Sequence, residues 1–342
     1  MCQSIPKEHH RIPQVYMKKW CIQSNSVQTF NVQTKKLELK NIDNIFITKH
    51  YNSYTAGGMN NPDDVNERIF SCLENYKVKY FGNSLNTANE LNEHFNDYDN
   101  WEISDKDDNK ISKATKNEFK YKLIDSKDPA IETLFSRLFE NDWNNYIDEL
   151  YSDVLKDIDI DFRKLCKYVL LFLYRNPNGD ENWQNPFLKY ITSFLGEQAD
   201  RIIPENERIY SKDITMYDEL VHESNIRRYK EIIEETGAMK KVLDCLSLLC
   251  IPTFYIDNSS RFITSDTNVI YSDGCLYFVA SPQIFVKIYS KLLIEDKYVE
   301  KYDCSLDIKK IEEINKFIFI NTKERILYRS IIDVPLKGGN NK

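Results

Sequence analysis

A chain of 342 residues with 42% hydrophobic and 13% aromatic content holds enough apolar side chain to bury a large core, which excludes a disordered chain. Only 9 Gly and 10 Pro are present, and neither GxGxxG nor GxxxxGK[ST] occurs, so collagen-like architecture is excluded and no nucleotide cofactor is expected. The net charge of −7 is unevenly placed: residues 1–60 carry eight Lys and Arg against three Asp and Glu, whereas residues 90–160 carry nine against nineteen. A basic N-terminal stretch can approach phosphates even in an acidic protein.

In chain order, His9-His10-Arg11-Ile12-Pro13 fixes the entry into a short amphipathic helix carrying Tyr16, Met17 and Trp20. Phe30 and Val32, a turn at Gln33 to Lys36, then Leu37 and Leu39 predict a β-hairpin. A loop at Tyr54–Gly58 leads to a helix near 65–76. Residues 84–127, rich in Asn, Asp, Lys and Ser, predict a flexible surface insertion. Apolar residues from Ile131 to Val154 recur at three- and four-residue spacing, as in one long core-facing helix that includes Leu138. Asp161 is the N-cap of the next helix, which stops near Asn176-Pro177.

Further helix is expected over 218–249. Strands are expected at 253–256, 262–264, 269–271 and 276–280, with helices at 282–296 and 308–330. Strands, a helical middle, strands and helices, without a βαβ rhythm, give an α+β class. The expectation is one mainly helical domain, 1–342, whose antiparallel β-sheet is built from N-terminal and C-terminal strands.

Eight cysteines are scattered without any CxxC pair, and Cys166 and Cys245 lie inside apolar helical runs. That usage, with no apolar signal core near the start, points to a reduced, cytoplasmic protein. The longest apolar run, 168–174, is too short to cross a bilayer, so no membrane partner is expected.

The candidate chemistry begins with His9 and His10, whose imidazoles suit base catalysis or metal ligation, unless they are structural pins for the N-terminal segment. Asp266 ends an apolar strand, with Ser265 placed to hydrogen-bond it; it could bind a metal, orient a His, or hold an Asx-turn. Glu140 sits on a core stripe and needs a partner, for which Arg175 is the available cation. Glu132, and the pair Glu67 and Glu74, are weaker carboxylate candidates. Glu38-Leu39-Lys40 matches the E-x-K tail of metal-dependent nucleases, a tripeptide common by chance.

These pieces, in this order, resemble the domain of unknown function 4238 family, which opens with a His-His-Tyr-Val-Pro-like motif. The matching residues are His9 to Pro13 with Tyr16 and Trp20, Glu132 and Glu140, Arg175-Asn176-Pro177, Phe262 to Asn268, Val279 to Pro282, and a C-terminal Asn321 with Arg325. Arg11, Asn176 and Asn268 depart from the family's Tyr, Thr and Pro. The resemblance implies a shared fold. If His10, Glu140, Arg175 and Asp266 converge, they are the parts of a phosphodiesterase site, with His10 as base, Arg175 on phosphate charge, and Asp266 and Glu140 holding a divalent metal, Mg²⁺ or Mn²⁺.

The leading expectation is a metal-dependent nuclease acting on RNA or DNA, an effector in a toxin or phage-defence setting. The alternatives are a non-enzymatic sensor or binding module recognising nucleic acid or a phage protein, and a hydrolase for a small phosphorylated or acylated molecule. A groove would favour nucleic acid and a closed pocket a small molecule.

Overall fold

The computed structural model describes residues 8–156, 160–175, 193–210, 215–291, 302–303 and 306–335. With about 50% helix and 23% strand in several antiparallel sheets, the α+β class holds. Contacts group the chain into two compact units: the first is Met1–His9, Thr48–Leu134 and Phe187–Arg227, the second His10–Ile47, Phe135–Pro186 and Arg228–Lys342.

The second unit contains the sheet expected from both chain ends, in the order Thr264–Ser265, Arg325–Tyr328, Ser26–Asn31, Lys36–Asn41, every pair antiparallel. The predicted hairpin forms because Asn31 turns its side-chain oxygen onto the amides of Gln33 and Thr34, at 3.0 and 2.8 Å. Lys35 then takes a left-handed φ of 58° that closes the turn. Its second strand is the sheet edge, and there Leu37 and Leu39 are 52% and 58% exposed.

The same unit has a five-stranded sheet, ordered Val269–Ser272, Cys275–Ser281, Ile284–Ser290, Cys250–Ile256, Tyr302–Asp303, with only the last pair parallel. Pro252 is tolerated inside its strand because the outer neighbour reaches only Phe254 and Tyr255, so no ladder partner needs the missing N–H.

The short helix Gln14–Met17 follows Pro13 and buries Tyr16 and Met17, and Trp20 lies in the next turn. Tyr16 packs against Trp20, Trp143, Phe172 and Phe278 with ring centroids 4.8 to 6.3 Å apart. Its hydroxyl donates to the Val279 carbonyl at 2.7 Å and meets the Thr264 hydroxyl at 2.6 Å, while the Trp20 indole donates to the Phe262 carbonyl at 2.9 Å. Burial raises the Tyr16 phenol far above its ordinary value, so it stays a hydrogen-bond donor.

Four element boundaries differ from the sequence expectation. The long helix is Ala130–Phe135 and Asn141–Leu155 joined by a π-helical turn at Ser136–Glu140, whose extra residue rotates Leu138 out to 45% exposure. The 218–249 helix is two, Met216–Glu234 and Gly237–Leu249, broken where Glu235 and Gly237 adopt φ of 52° and 57°. The helix expected at 282–296 is a strand at Ile284–Ser290, with 292–296 outside the described residues; its Ile-Phe-Val-Lys-Ile-Tyr run is β-branched and aromatic, and Pro282-Gln283 makes a two-residue hairpin loop. The last helix is Ile308–Ile320, after which Arg325–Tyr328 is a strand. The helix Phe162–Arg175 starts as expected, with Asp161 accepting from the Lys164 amide at 2.9 Å; Asn176 and Pro177 lie outside the described residues. Of the two helical cysteines, Cys166 is buried and Cys245 exposed.

The first unit holds a three-stranded antiparallel sheet, Asn83–Leu85, Lys77–Tyr80, Trp101–Ser104, and a short ladder between Tyr54–Thr55 and Lys127–Asp128. Residues 84–127, expected as a surface insertion, hold part of that sheet and the helices Ala88–Glu93 and Lys113–Asp125. They bury Tyr98, Trp101, Ile103, Phe119 and Leu123, and Thr87 with Glu90 makes a capping box. The polar run at 104–110 is a turn in which Asp105 accepts from the amides of Asp107 and Asn109.

Removing only the phenolic oxygen leaves buried polar partners unsatisfied, so Tyr16→Phe is expected to lower urea stability by about 1–3 kcal/mol. Tyr16→Ala adds a cavity, and is expected to cost roughly 3–5 kcal/mol. A Tyr16→Phe unfolding midpoint equal to wild type would show that the two oxygen contacts contribute nothing net.

Candidate functional site

In the second unit the fold brings His10, Arg175 and Glu140 into one electrostatic neighbourhood. The Nδ1–H of His10 donates to the Ile45 carbonyl at 3.2 Å, and its Nε2 lies 2.8 Å from the side-chain amide of Gln14, which also donates to Asp43. Burial is the main cause that pushes the imidazole below its ordinary pKa; Arg175 adds to the shift, while the Ile45 bond, Glu140 and Asp43 oppose it. His10 is therefore neutral near pH 7, with both nitrogens engaged.

Arg175, at the end of its helix, is 2% exposed. Its Nε donates to the His10 carbonyl at 2.9 Å, one terminal nitrogen donates to the Tyr229 hydroxyl at 2.7 Å, and the guanidinium lies 4.2 Å over the Phe135 ring. The expected Glu140–Arg175 pair is not formed, because the π-helical turn places the Glu140 carboxylate on the Ser136 hydroxyl at 2.8 Å.

Asp266 does not stand open at a strand tip. It is 1% exposed, and its Oδ1 accepts from the amides of Glu324 and Arg325 at 3.0 Å each, fastening the turn before the last strand. Ser265 does not hold it either: that hydroxyl accepts from the Thr267 amide at 3.1 Å and bonds the Thr267 carbonyl at 3.2 Å, a local turn. Asn321 caps its helix by donating to the Phe317 carbonyl at 2.8 Å. The asparagine that organises this region is Asn315, whose oxygen accepts from Ile263 and whose nitrogen donates to the carbonyls of Arg261 and Asp333. Its signal in the sequence is a polar residue on the Ile311, Ile314, Ile318 stripe.

His9 and Glu132 fall in the first unit. His9 is buried and accepts the Asn52 amide at Nδ1, at 3.0 Å, while the Asn52 side chain donates to Glu132 at 2.6 Å. His9 thus pins the segment it starts, one of the two roles open to it in the sequence. Glu67 and Glu74 are exposed, and Glu38 bonds Arg325 at 2.7 Å and lies 3.3 Å from Lys40. Sequence reasoning also missed His222, stacked between Tyr51 and Tyr210 with centroids 4.2 and 3.8 Å away, its Nε2 donating to the Tyr51 carbonyl.

Asp266 and Glu140 do not fit a shared divalent ion: one is committed to two backbone amides, and the other to a serine hydroxyl. Among the described residues, no group of three or more His, Cys, Asp or Glu side chains could hold a metal ion.

What the first unit offers instead is a cavity of about 520 Å³, in the range of small-molecule sites. Apolar side chains such as Phe95, Tyr98, Ile203 and Met216 line it together with Lys127 and Arg208. Two other cations there are already paired, Lys120 with Asp99 at 2.9 Å and Arg201 with Glu207 at 3.6 Å. Lys127 reaches only the Ile209 carbonyl, at 3.3 Å, and Arg208 gives its Nε to the Ile203 carbonyl at 2.9 Å; among the described residues neither forms an ion pair. Burial pushes the Lys127 ammonium down to about 8, against the opposing charges of Asp125 and Glu219.

The family model described as "Protein of unknown function (DUF4238)" matches residues 8–331. Comparisons with curated proteins and with solved structures give no match.

Because the folded chain binds the His10 proton less readily than the unfolded chain, this residue subtracts from stability as pH falls below its ordinary value of 6.5. Thermal midpoints measured from pH 7.5 to 5 are expected to fall less in His10→Gln than in wild type. Parallel curves would show that the imidazole titrates normally.

Proposed function

The chain belongs to the domain of unknown function 4238 family, and we propose that it serves as a binding module for a small molecule carrying an anionic group, held in the cavity of the first unit. The observation that carries this reading is two cations, Lys127 and Arg208, that line a cavity of mixed polar and apolar side chains and form no ion pair among the described residues. Both are half-buried; a partly desolvated cation without an ion-pair partner costs free energy that an anionic ligand relieves, and each charge-assisted hydrogen bond contributes about 1.5–3 kcal/mol. The apolar part of the lining, Phe95, Tyr98, Ile203 and Met216, suits a ligand with an organic body better than a bare ion. Calorimetric titration with inorganic phosphate, phenyl phosphate and adenosine monophosphate is the test. An organic phosphate is expected to bind more tightly than inorganic phosphate, with affinity reduced roughly tenfold or more in Arg208→Ala. Equal binding by wild type and Arg208→Ala would overturn the reading.

One observation favours a second reading, a nuclease centred on His10. The imidazole is kept neutral beside Glu140 and Arg175, the state a general base needs. In that role Nε2 would exchange the Gln14 amide for a substrate proton, and Arg175, bonded to the His10 carbonyl, would position the base. Incubation with labelled tRNA, messenger RNA, and single-stranded and duplex DNA, with Mg²⁺, Mn²⁺ or EDTA, tests it. Cleavage abolished in His10→Ala with the fold intact would support the nuclease, and no cleavage by folded wild type would remove it.

A further inference from the structure

Resting on the binding reading, we propose that the ligand of this cavity is a carbonyl compound bearing an anionic group, and that Lys127 forms an imine with it while Arg208 holds the anion. Lys127 belongs to the ladder with Tyr54–Thr55, so its backbone is fixed, and among the described residues its Nζ makes one hydrogen bond, to the Ile209 carbonyl at 3.3 Å. It lines a cavity of about 520 Å³ that a second cation, Arg208, also lines. Its ammonium is held down to about 8 by burial, so near neutral pH a minor fraction, far larger than for an ordinary lysine, is neutral amine. Glu219 lines the same cavity, with one oxygen accepting the Ile209 amide at 2.7 Å, and the chain that carries the lysine's acceptor is thereby fixed as well.

The step balances without any redox partner. The Lys127 nitrogen lone pair attacks the carbonyl carbon, the carbonyl π pair moves to oxygen, and a proton passes from nitrogen to that oxygen to give a carbinolamine. The hydroxyl, protonated, then leaves as water while the nitrogen lone pair forms the C=N bond, so amine plus carbonyl gives imine plus water. The Arg208 guanidinium takes no part in these bonds and retains the anionic end of the ligand.

Pyridoxal 5′-phosphate, which carries both an aldehyde and a phosphate, serves as the probe, and pyridoxine 5′-phosphate, its alcohol counterpart, reports binding without imine formation. The full chain is incubated with pyridoxal 5′-phosphate, reduced with borohydride, and mapped by peptide mass spectrometry. The expected result is an adduct at Lys127 at least tenfold above any other lysine, suppressed by excess pyridoxine 5′-phosphate. In Lys127→Arg the incorporation should fall to the surface background while pyridoxine 5′-phosphate still binds, which also shows that the variant is folded. If both phosphates bind but the adduct is spread over surface lysines without preference for Lys127, the imine is overturned and the binding reading stands. If neither compound binds the cavity, the binding reading fails and takes the imine with it.

Discussion

The packing of the second unit depends on satisfying two polar atoms deep in an aromatic core. The Tyr16 hydroxyl and the Trp20 indole N–H come from near the start of the chain, and their partners, Thr264, Val279 and the Phe262 carbonyl, come from beyond residue 260. Large aromatic side chains contribute most of the buried area, but a buried donor without an acceptor would cancel much of that gain. The register of the later strands is thus fixed to the N-terminal helix by hydrogen bonds as well as by apolar contact. Pro13 and the short helix after it hold the two rings in their places.

Viewed by how their hydrogen-bonding capacity is used, the polar residues fall into two groups. Asp266, Ser265, Asn315 and Asn321 each serve backbone groups at a turn or helix end, where a carboxylate, hydroxyl or amide does what regular secondary structure cannot. Arg175 joins a helix end to the His10 carbonyl and to Tyr229. Lys127 and Arg208 differ: each reaches a backbone carbonyl and, among the described residues, neither forms an ion pair. A cation that lines a cavity without an ion-pair partner is a better guide to a ligand than the presence of ionisable residues in a motif.

The sequence made legible whatever was decided locally. Alternation around Phe30 and Leu39 gave the hairpin, Asp161 marked a helix start, and the Tyr16 and Trp20 spacing marked a buried face. The α+β class was legible from the order of the elements, and a sheet drawn from both ends of the chain was expected without the strand Arg325–Tyr328 that joins them. What escaped was decided by distant partners. Ile284 to Tyr289 is apolar with no clear period, and becomes a strand because 250–256 and 275–281 flank it. Likewise Arg325–Tyr328 extends because Gln28–Asn31 lies beside it. Glu140 left the expected stripe through one π-helical turn, which no spacing of apolar residues announces. The cavity is assembled from segments near 56, 95–127 and 201–219, and Lys127 within a polar stretch gives no sign that it lines one.

The pairing of Gln28 with Tyr328 also sets an order of assembly. During synthesis, the hairpin at 26–41 emerges early, with Val27 and Phe30 destined for burial and one strand edge still open. It waits for nearly the whole chain before Arg325–Tyr328 arrives to close that edge. Closing so long a loop is slow, and an unpaired strand edge is the surface on which nascent chains associate wrongly. The second unit can therefore complete its core only after translation has passed residue 328, and a chain that stops short of that strand leaves the hairpin without its neighbour.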